Sequence, residues 1–230
     1  RSDAALIGEV WEDPTNKIAY GEARCYCAGD TLDSVMNYPL REAVLAFFTF
    51  KIDAFALERR IEAMRESMPP AFFYSLMNLL GSHDKPRAIN VLADCGNMQP
   101  ERRYRFPLEL TAEQYERGKR RLIAAWTLIC ALPGMPCLYY GDEAGLTGMA
   151  DPFCRKTFPW EREDRELTEK MREQSLRRRR SPALRTGHMR LYAESADVLV
   201  VERYIEHGQD AFGQSAADEC VVTRIDRAGL

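Results

Sequence analysis

Short apolar runs that end on acids or amides recur along this chain, with helical patterns between them. The first is Ala4-Ala-Leu-Ile-Gly-Glu9-Val-Trp-Glu12 and the second Asp33-Ser-Val-Met-Asn-Tyr38. The third, Ala71-Phe-Phe-Tyr-Ser-Leu-Met77, is unbroken and aromatic-rich, and the fourth is Pro136-Cys-Leu-Tyr-Tyr-Gly-Asp-Glu143. Runs this short predict strands buried in a parallel sheet. Pro39 to about Lys51 sets Leu40, Val44, Leu45 and Phe48 on one face, a helix with proline in its first turn. Thr111-x-x-Gln114 is a capping box opening a longer helix. Its Tyr115, Leu122, Trp126 and Ile129 form a stripe opposite Glu116, Lys119 and Arg120, and Pro133-Gly134 ends it. Strand and helix alternating in this way imply βαβ units around a parallel sheet, with chemistry at the strand C-terminal ends.

A charged helix is predicted from about Thr168 to Ser181, its Arg177–Arg180 end solvated and favoured by the helix dipole. Beyond Pro182 the texture changes. Met189–Ala193, Asp197–Ile205 and Cys220–Ile225 read as strands with polar turns and no helix between. A boundary near 182–188 divides the chain into 1–182 and 183–230, the second part too short for a closed sandwich or barrel.

Composition removes several function classes. Formal net charge is −3 over 230 residues, so no basic surface invites nucleic acid. No apolar stretch reaches membrane length, and the first residues lack a signal-peptide layout. Seven irregularly spaced cysteines read as free thiols in a reducing compartment, hence a cytoplasmic location. The Cys25-x-Cys27 pair has no companion at ligand spacing, so neither a metal nor a cofactor is expected.

What remains is the chemistry at the run ends. The third run delivers Asn78-Leu-Leu-Gly-Ser-His83-Asp84-Lys-Pro-Arg87, an imidazole beside a carboxylate. In an α/β enzyme a strand end of this kind is where catalysis sits. Asp142 and Glu143, equally conspicuous, are expected to hold the loops after the last strand.

Three of these stretches resemble the α-amylase superfamily of glycoside hydrolases: Gly8-Glu9-Val-Trp11, Asn78 to Arg87, and Leu132-Pro-Gly-Met-Pro-Cys-Leu-Tyr-Tyr-Gly-Asp-Glu143. The stretch Asp151-Pro-Phe-Cys-Arg155-Lys-Thr-Phe-Pro-Trp160 is similar to the neopullulanase, cyclomaltodextrinase and maltogenic amylase branch. The resemblance runs from Ala5 to about Arg227 and implies an α/β fold. That fold is the second half of a (β/α)8 TIM barrel, strands five to eight, followed by a partial C-terminal all-β domain. It also implies an α-glucan oligosaccharide as partner. Glu9 matches the general acid/base and Asp84 the acid that distorts and stabilises the sugar. His83 matches the histidine that hydrogen-bonds the central ring, and Asp151 with Arg155 a pair that holds the glucan. Trp11 is expected to line the leaving-group side.

The chemistry demands such groups. Cleaving an acetal near neutral pH needs a protonated carboxyl to donate to the departing oxygen, and Glu9 beside Trp11 is the expected donor. Retaining hydrolysis also needs a nucleophilic carboxylate about 5–5.5 Å from that acid. Sugars further need aromatic faces and fixed polar groups, which Trp11, Tyr140, Arg155 and Trp160 could supply.

The family's nucleophile lies in a G-x-R-x-D motif N-terminal to the acid, and the 230 residues hold no such motif. The expectation is therefore a C-terminal fragment, inactive alone, that pairs with a second copy or with a missing N-terminal half to cover its sheet edges. The alternative is a non-catalytic half-barrel remnant that oligomerises and binds oligosaccharide weakly. Lys85 stands where the family usually has threonine, close enough in sequence to favour the ionised form of Asp84.

Overall fold

The computed structural model describes residues 4–94 and 109–230. Four very short strands run parallel in chain order. β1 (Ile7–Gly8) leads into a hairpin of β2 (Ile18–Ala19) and β3 (Glu22–Ala23), and then into β4 (Ser34–Val35). β5 (Met77–Leu79) and β6 (Met135–Cys137) follow. β1 pairs with β4, Met36 bridges to Met77, and β5 pairs with β6 with Asn78 opposite Pro136. Pro136 has no N–H to give, and it sits on an outer strand of this array, where that costs least. The connection from β1 to β4 carries the hairpin and no helix.

Helix α1 (Tyr38–Phe48) starts because the Asn37 side chain accepts from the Leu40 amide at 3.1 Å, with proline in the first turn. It buries Leu40, Val44, Leu45 and Phe48 as the periodicity predicts. Helix α2 (Ala54–Ser67), which the apolar pattern did not announce, is capped by Asp53 and buries only Ala54, Leu57 and Ile61. Helix α5 (Ala112–Ala131) opens on the expected capping box; the short α3 (Pro70–Ser75) and α4 (Ala88–Leu92) precede it. Helix α6 (Arg165–Arg180) is capped by Asp164, and α7 (Pro182–Thr186) follows it.

Three expectations change. The run Ala71–Met77 is mostly helix: Pro70 in the first turn pre-sets a helical φ, and α3 continues to Ser75 before β5 begins. Lys119 does not face solvent; it is buried, with Nζ 2.8 Å from Asp164 and 2.7 Å from Glu166, which tie α5 to the start of α6. Arg178 leaves the solvated row and donates to the carbonyls of Cys130, Leu132 and Gly134. It thereby satisfies carbonyls at the buried C-terminal end of α5, where a cation is favoured.

The last part is an antiparallel sheet of β7 (His188–Ala193), β8 (Val198–Ile205) and β9 (Glu219–Asp226) in that order. Its Met189, Leu191, Leu199, Val201 and Ile225 join one continuous core with α1, α2, α5 and α6. Each such buried side chain contributes about 1.5–3 kcal/mol. Arg203 on β8 is fully buried and donates to the carbonyls of Ala131, Leu184, Gly187 and His188. Arg227, after β9, donates to the carbonyls of Phe47, Ile52 and Ala196 and to Asp197 Oδ1. The six cysteines among the described residues are free thiols. No helix among these residues is long and apolar enough to cross a membrane.

Candidate active site

The C-terminal ends of β1, β4 and β5 bring the expected residues together. Glu9 follows β1 directly. His83 and Asp84 follow β5 after Gly81, where a Cβ would lie 2.2 Å from Asp142 Oδ2; only glycine lets that carboxylate approach the backbone. His83 Nε2 stands 3.4 Å from Asp84 Oδ2 and 4.0 Å from Glu9 Oε1. One ligand-type atom from each of the three lies within 4.8 Å of the other two. A cation could reach that trio. Arg155, however, already sits on Asp84, and no fourth such ligand joins them among the described residues.

Arg155 is at the end of a short 3-10 turn, Phe153–Arg155. Its Nη2 is 2.9 Å from Asp84 Oδ1 and its Nε 2.7 Å from Asp151 Oδ1. Slight burial works against the charge of Arg155, but Asp151 and Asp84 outweigh it and hold the guanidinium above its ordinary pKa. The His83 carbonyl accepts from Arg155 Nε and from the Cys154 thiol, both at 3.0 Å. The loop carrying Asp151 and Arg155 is thus fastened to the loop carrying His83 and Asp84. All six expected residues therefore share one surface, and Asp151 is linked to it through Arg155.

Arg87 anchors this wall from below. It is fully buried, donates to the carbonyls of Tyr140 and Cys154, and pairs with Asp142 at 3.1 Å. Asp142 is itself buried, and burial pushes its pKa up to about 6, with Arg87 opposing and Glu143 adding to the rise. Asp142 therefore holds loops, as its position after the last parallel run suggested.

Tyr38 was passed over in the sequence because it ends a strand-like run. The structure buries its ring and sets its hydroxyl 3.2 Å from Glu9 Oε1 and 3.1 Å from Ser82 Oγ. Ser82 Oγ in turn accepts from the Asp84 amide at 3.4 Å. Burial raises the Tyr38 pKa, while the Ser82 bond opposes it and the nearby Glu9 charge adds to it, so the phenol stays a donor. Trp11 Nε1 also reaches Glu9 Oε1, at 3.4 Å, and its ring lies 5.4 Å from that of Tyr38. A tyrosine following an Asn N-cap was the only signal available. Lys85 is not paired with Asp84; its Nζ sits 3.9 Å over the Trp11 ring.

Chemically, the arrangement offers a carboxyl oriented by two donors, a second carboxylate held by an arginine, and an imidazole between them. That suits proton transfer to, and charge stabilisation of, a polar uncharged substrate.

Known proteins are similar to this chain in sequence and in fold. This chain is 35% identical over 238 residues to an amylopullulanase of Thermoanaerobacterium thermosulfurigenes, covering 98% of this chain and 12% of that protein. It is 34% identical over 202 residues to a cyclomaltodextrinase of Geobacillus thermopakistaniensis, covering 86% of this chain and 29% of that protein. Among solved structures, a cyclic alpha-maltosyl-(1→6)-maltose hydrolase from Arthrobacter globiformis matches with a TM-score of 0.72 at 30% identity, covering 90% of this chain and 40% of that one. The chain thus spans less than a third of the length of the curated relatives just named. The model of the alpha-amylase catalytic domain matches residues 1–207, and the chain belongs to that family of glycoside hydrolases.

Proposed function

We propose that this chain supplies the acid/base and sugar-gripping wall of an α-glucan glycosidase site that acts on maltodextrin-, pullulan- or cyclodextrin-like substrates with retention. The observation that carries the reading is the junction of Glu9, His83 and Asp84, with Arg155 bridging Asp84 to Asp151. In it Glu9 donates a proton to the leaving oxygen and later withdraws one from water. Asp84 and His83 bind hydroxyls of the ring being distorted, and Arg155 with Asp151 fixes the neighbouring unit. We further infer that the four parallel strands are strands five to eight of a (β/α)8 barrel, and that 183–230 begins a C-terminal β-sandwich domain. A cytoplasmic setting fits the free thiols.

A second reading has its own support: the 230 residues contain no G-x-R-x-D nucleophile motif. On that reading the polypeptide by itself binds oligosaccharide without cleaving it, and a second copy or another chain covers the outer strands. Exposed Leu6 and Ile7 at β1, and Met135, Leu138 and Tyr140 at β6, favour such a cover, since Val35 and Leu79 on the central strands are buried.

Calorimetric titration with maltooligosaccharides, beside hydrolysis assays on maltodextrin, pullulan and cyclodextrin, tests both readings. Binding without turnover is expected. Absence of binding overturns the glucan reading, and turnover abolished by Glu9→Gln overturns the need for a partner polypeptide.

A further inference from the structure

Lys85 does something at the proposed glucan site that neither its neighbours nor the comparisons assign. Its ammonium is 3.9 Å from the centre of the Trp11 ring and 5.5 Å from that of Tyr38, so it occupies the angle between the two rings. Trp11 is still nearly half exposed and stands beside Glu9, where an aromatic plane would ordinarily be offered to a sugar. Burial lowers the Lys85 pKa, with Glu42 and Asp84 opposing and Arg41 reinforcing the fall; the lysine is half-buried against the rings. A cation on an indole face competes directly with any ring that would stack there.

We propose that Lys85 is a specificity-determining residue that occupies the Trp11 face and so withholds it from the sugar unit beside Glu9. Trp11 and Tyr38 then serve the acid rather than the substrate. Both direct their polar hydrogens at Glu9 Oε1, and Lys85 covers the pair. Ligands gain little from extending past Glu9 on that side. Affinity rests on the His83, Asp84 and Arg155 side.

The inference rests on the glucan-binding reading, and the experiment separates the two. Maltose, maltotriose and maltohexaose are titrated into the full chain and into Lys85→Ala and Lys85→Thr, with tryptophan emission recorded in parallel. The double variant Trp11→Phe/Lys85→Ala identifies the signal of Trp11 against that of the exposed Trp160. Freed of its cation, the Trp11 face should accept a glucosyl unit. The longer oligosaccharides then bind Lys85→Ala about three- to tenfold more tightly than the unaltered chain. The change in Trp11 emission on binding appears in the single lysine variants and is absent both from the unaltered chain and from the double variant. Circular dichroism of each variant checks that the fold is retained. If the unaltered chain binds and Lys85→Ala binds no more tightly, or if Trp11 emission already responds with Lys85 in place, the inference falls and the glucan site stands. If none of these proteins binds any of the sugars, both fall together.

Discussion

Arg155 holds Asp84 and Asp151 at once, with Nη2 2.9 Å from the first and Nε 2.7 Å from the second. The two carboxylates come from loops that are distant in sequence, so the guanidinium fork sets their spacing. A lysine is a point charge and cannot span them in this way. Arg155→Ala should weaken maltooligosaccharide binding at least about tenfold, and Arg155→Lys should not restore it. Arg155 and Asp151 are about half exposed and Asp84 is partly so, so the same variants should change unfolding free energy by less than about 1 kcal/mol. Titration calorimetry and urea unfolding check the two halves of this expectation.

Tyr38→Phe keeps the buried ring and removes only the hydroxyl that joins Glu9 to Ser82. The expected cost is about 1 kcal/mol in urea unfolding, because Ser82 is left buried without that partner. A crystal structure of the variant should show Glu9 held by Trp11 alone and its carboxylate displaced. An unmoved Glu9 would assign its orientation to Trp11 instead.

Asp142 gives the fold an unusual pH term. Its folded pKa of about 6 lies above the ordinary 3.8, so between these values the native state holds a proton that the unfolded chain has released. Stability from this group is therefore full below about pH 4 and is lost as pH rises through about 6. Asp142→Asn cannot titrate. The stability of the natural chain relative to that variant should fall from pH 4 to 6 and level off above, read from urea midpoints across that range.

Among the described residues no carboxylate pairs with Arg203; its cation is spread over four carbonyls in a fully buried site. Arg203→Met strands those carbonyls away from water, at a cost of about 3 kcal/mol or more. A thermal melt that barely moves would show that water enters to replace the guanidinium.

Much of this was legible in the residues because local chemistry and final position agree. The Thr111–Gln114 capping box formed as written, and the stripe of Leu122, Trp126 and Ile129 went to the core. Glu9, His83 and Asp84 were marked by where their runs end, which a parallel array turns into shared location. The misreadings have two causes. Ala71–Ser75 went to helix for a local reason, Pro70 in the first turn, whereas Lys119 and Arg178 took their places from partners far along the chain, against their local texture. Period and charge could not reveal that the start of α6 calls on Lys119 and the C-terminal end of α5 on Arg178. Tyr38 was invisible for the same reason, since its importance lies in where its hydroxyl points.

Arg227 joins what the chain order keeps apart. From beyond β9 it grips the Phe47 and Ile52 carbonyls at the end of α1 and the turn after it, while Ala54 donates back to the Ala196 carbonyl at 2.8 Å. The terminal sheet is therefore laced to the helix that follows β4, whose Tyr38 touches Glu9. Neither can loosen without slackening the other. A calorimeter should record a single endotherm for the polypeptide, and a protease nick in the β8–β9 connection should be felt as far away as the sugar-facing carboxyl.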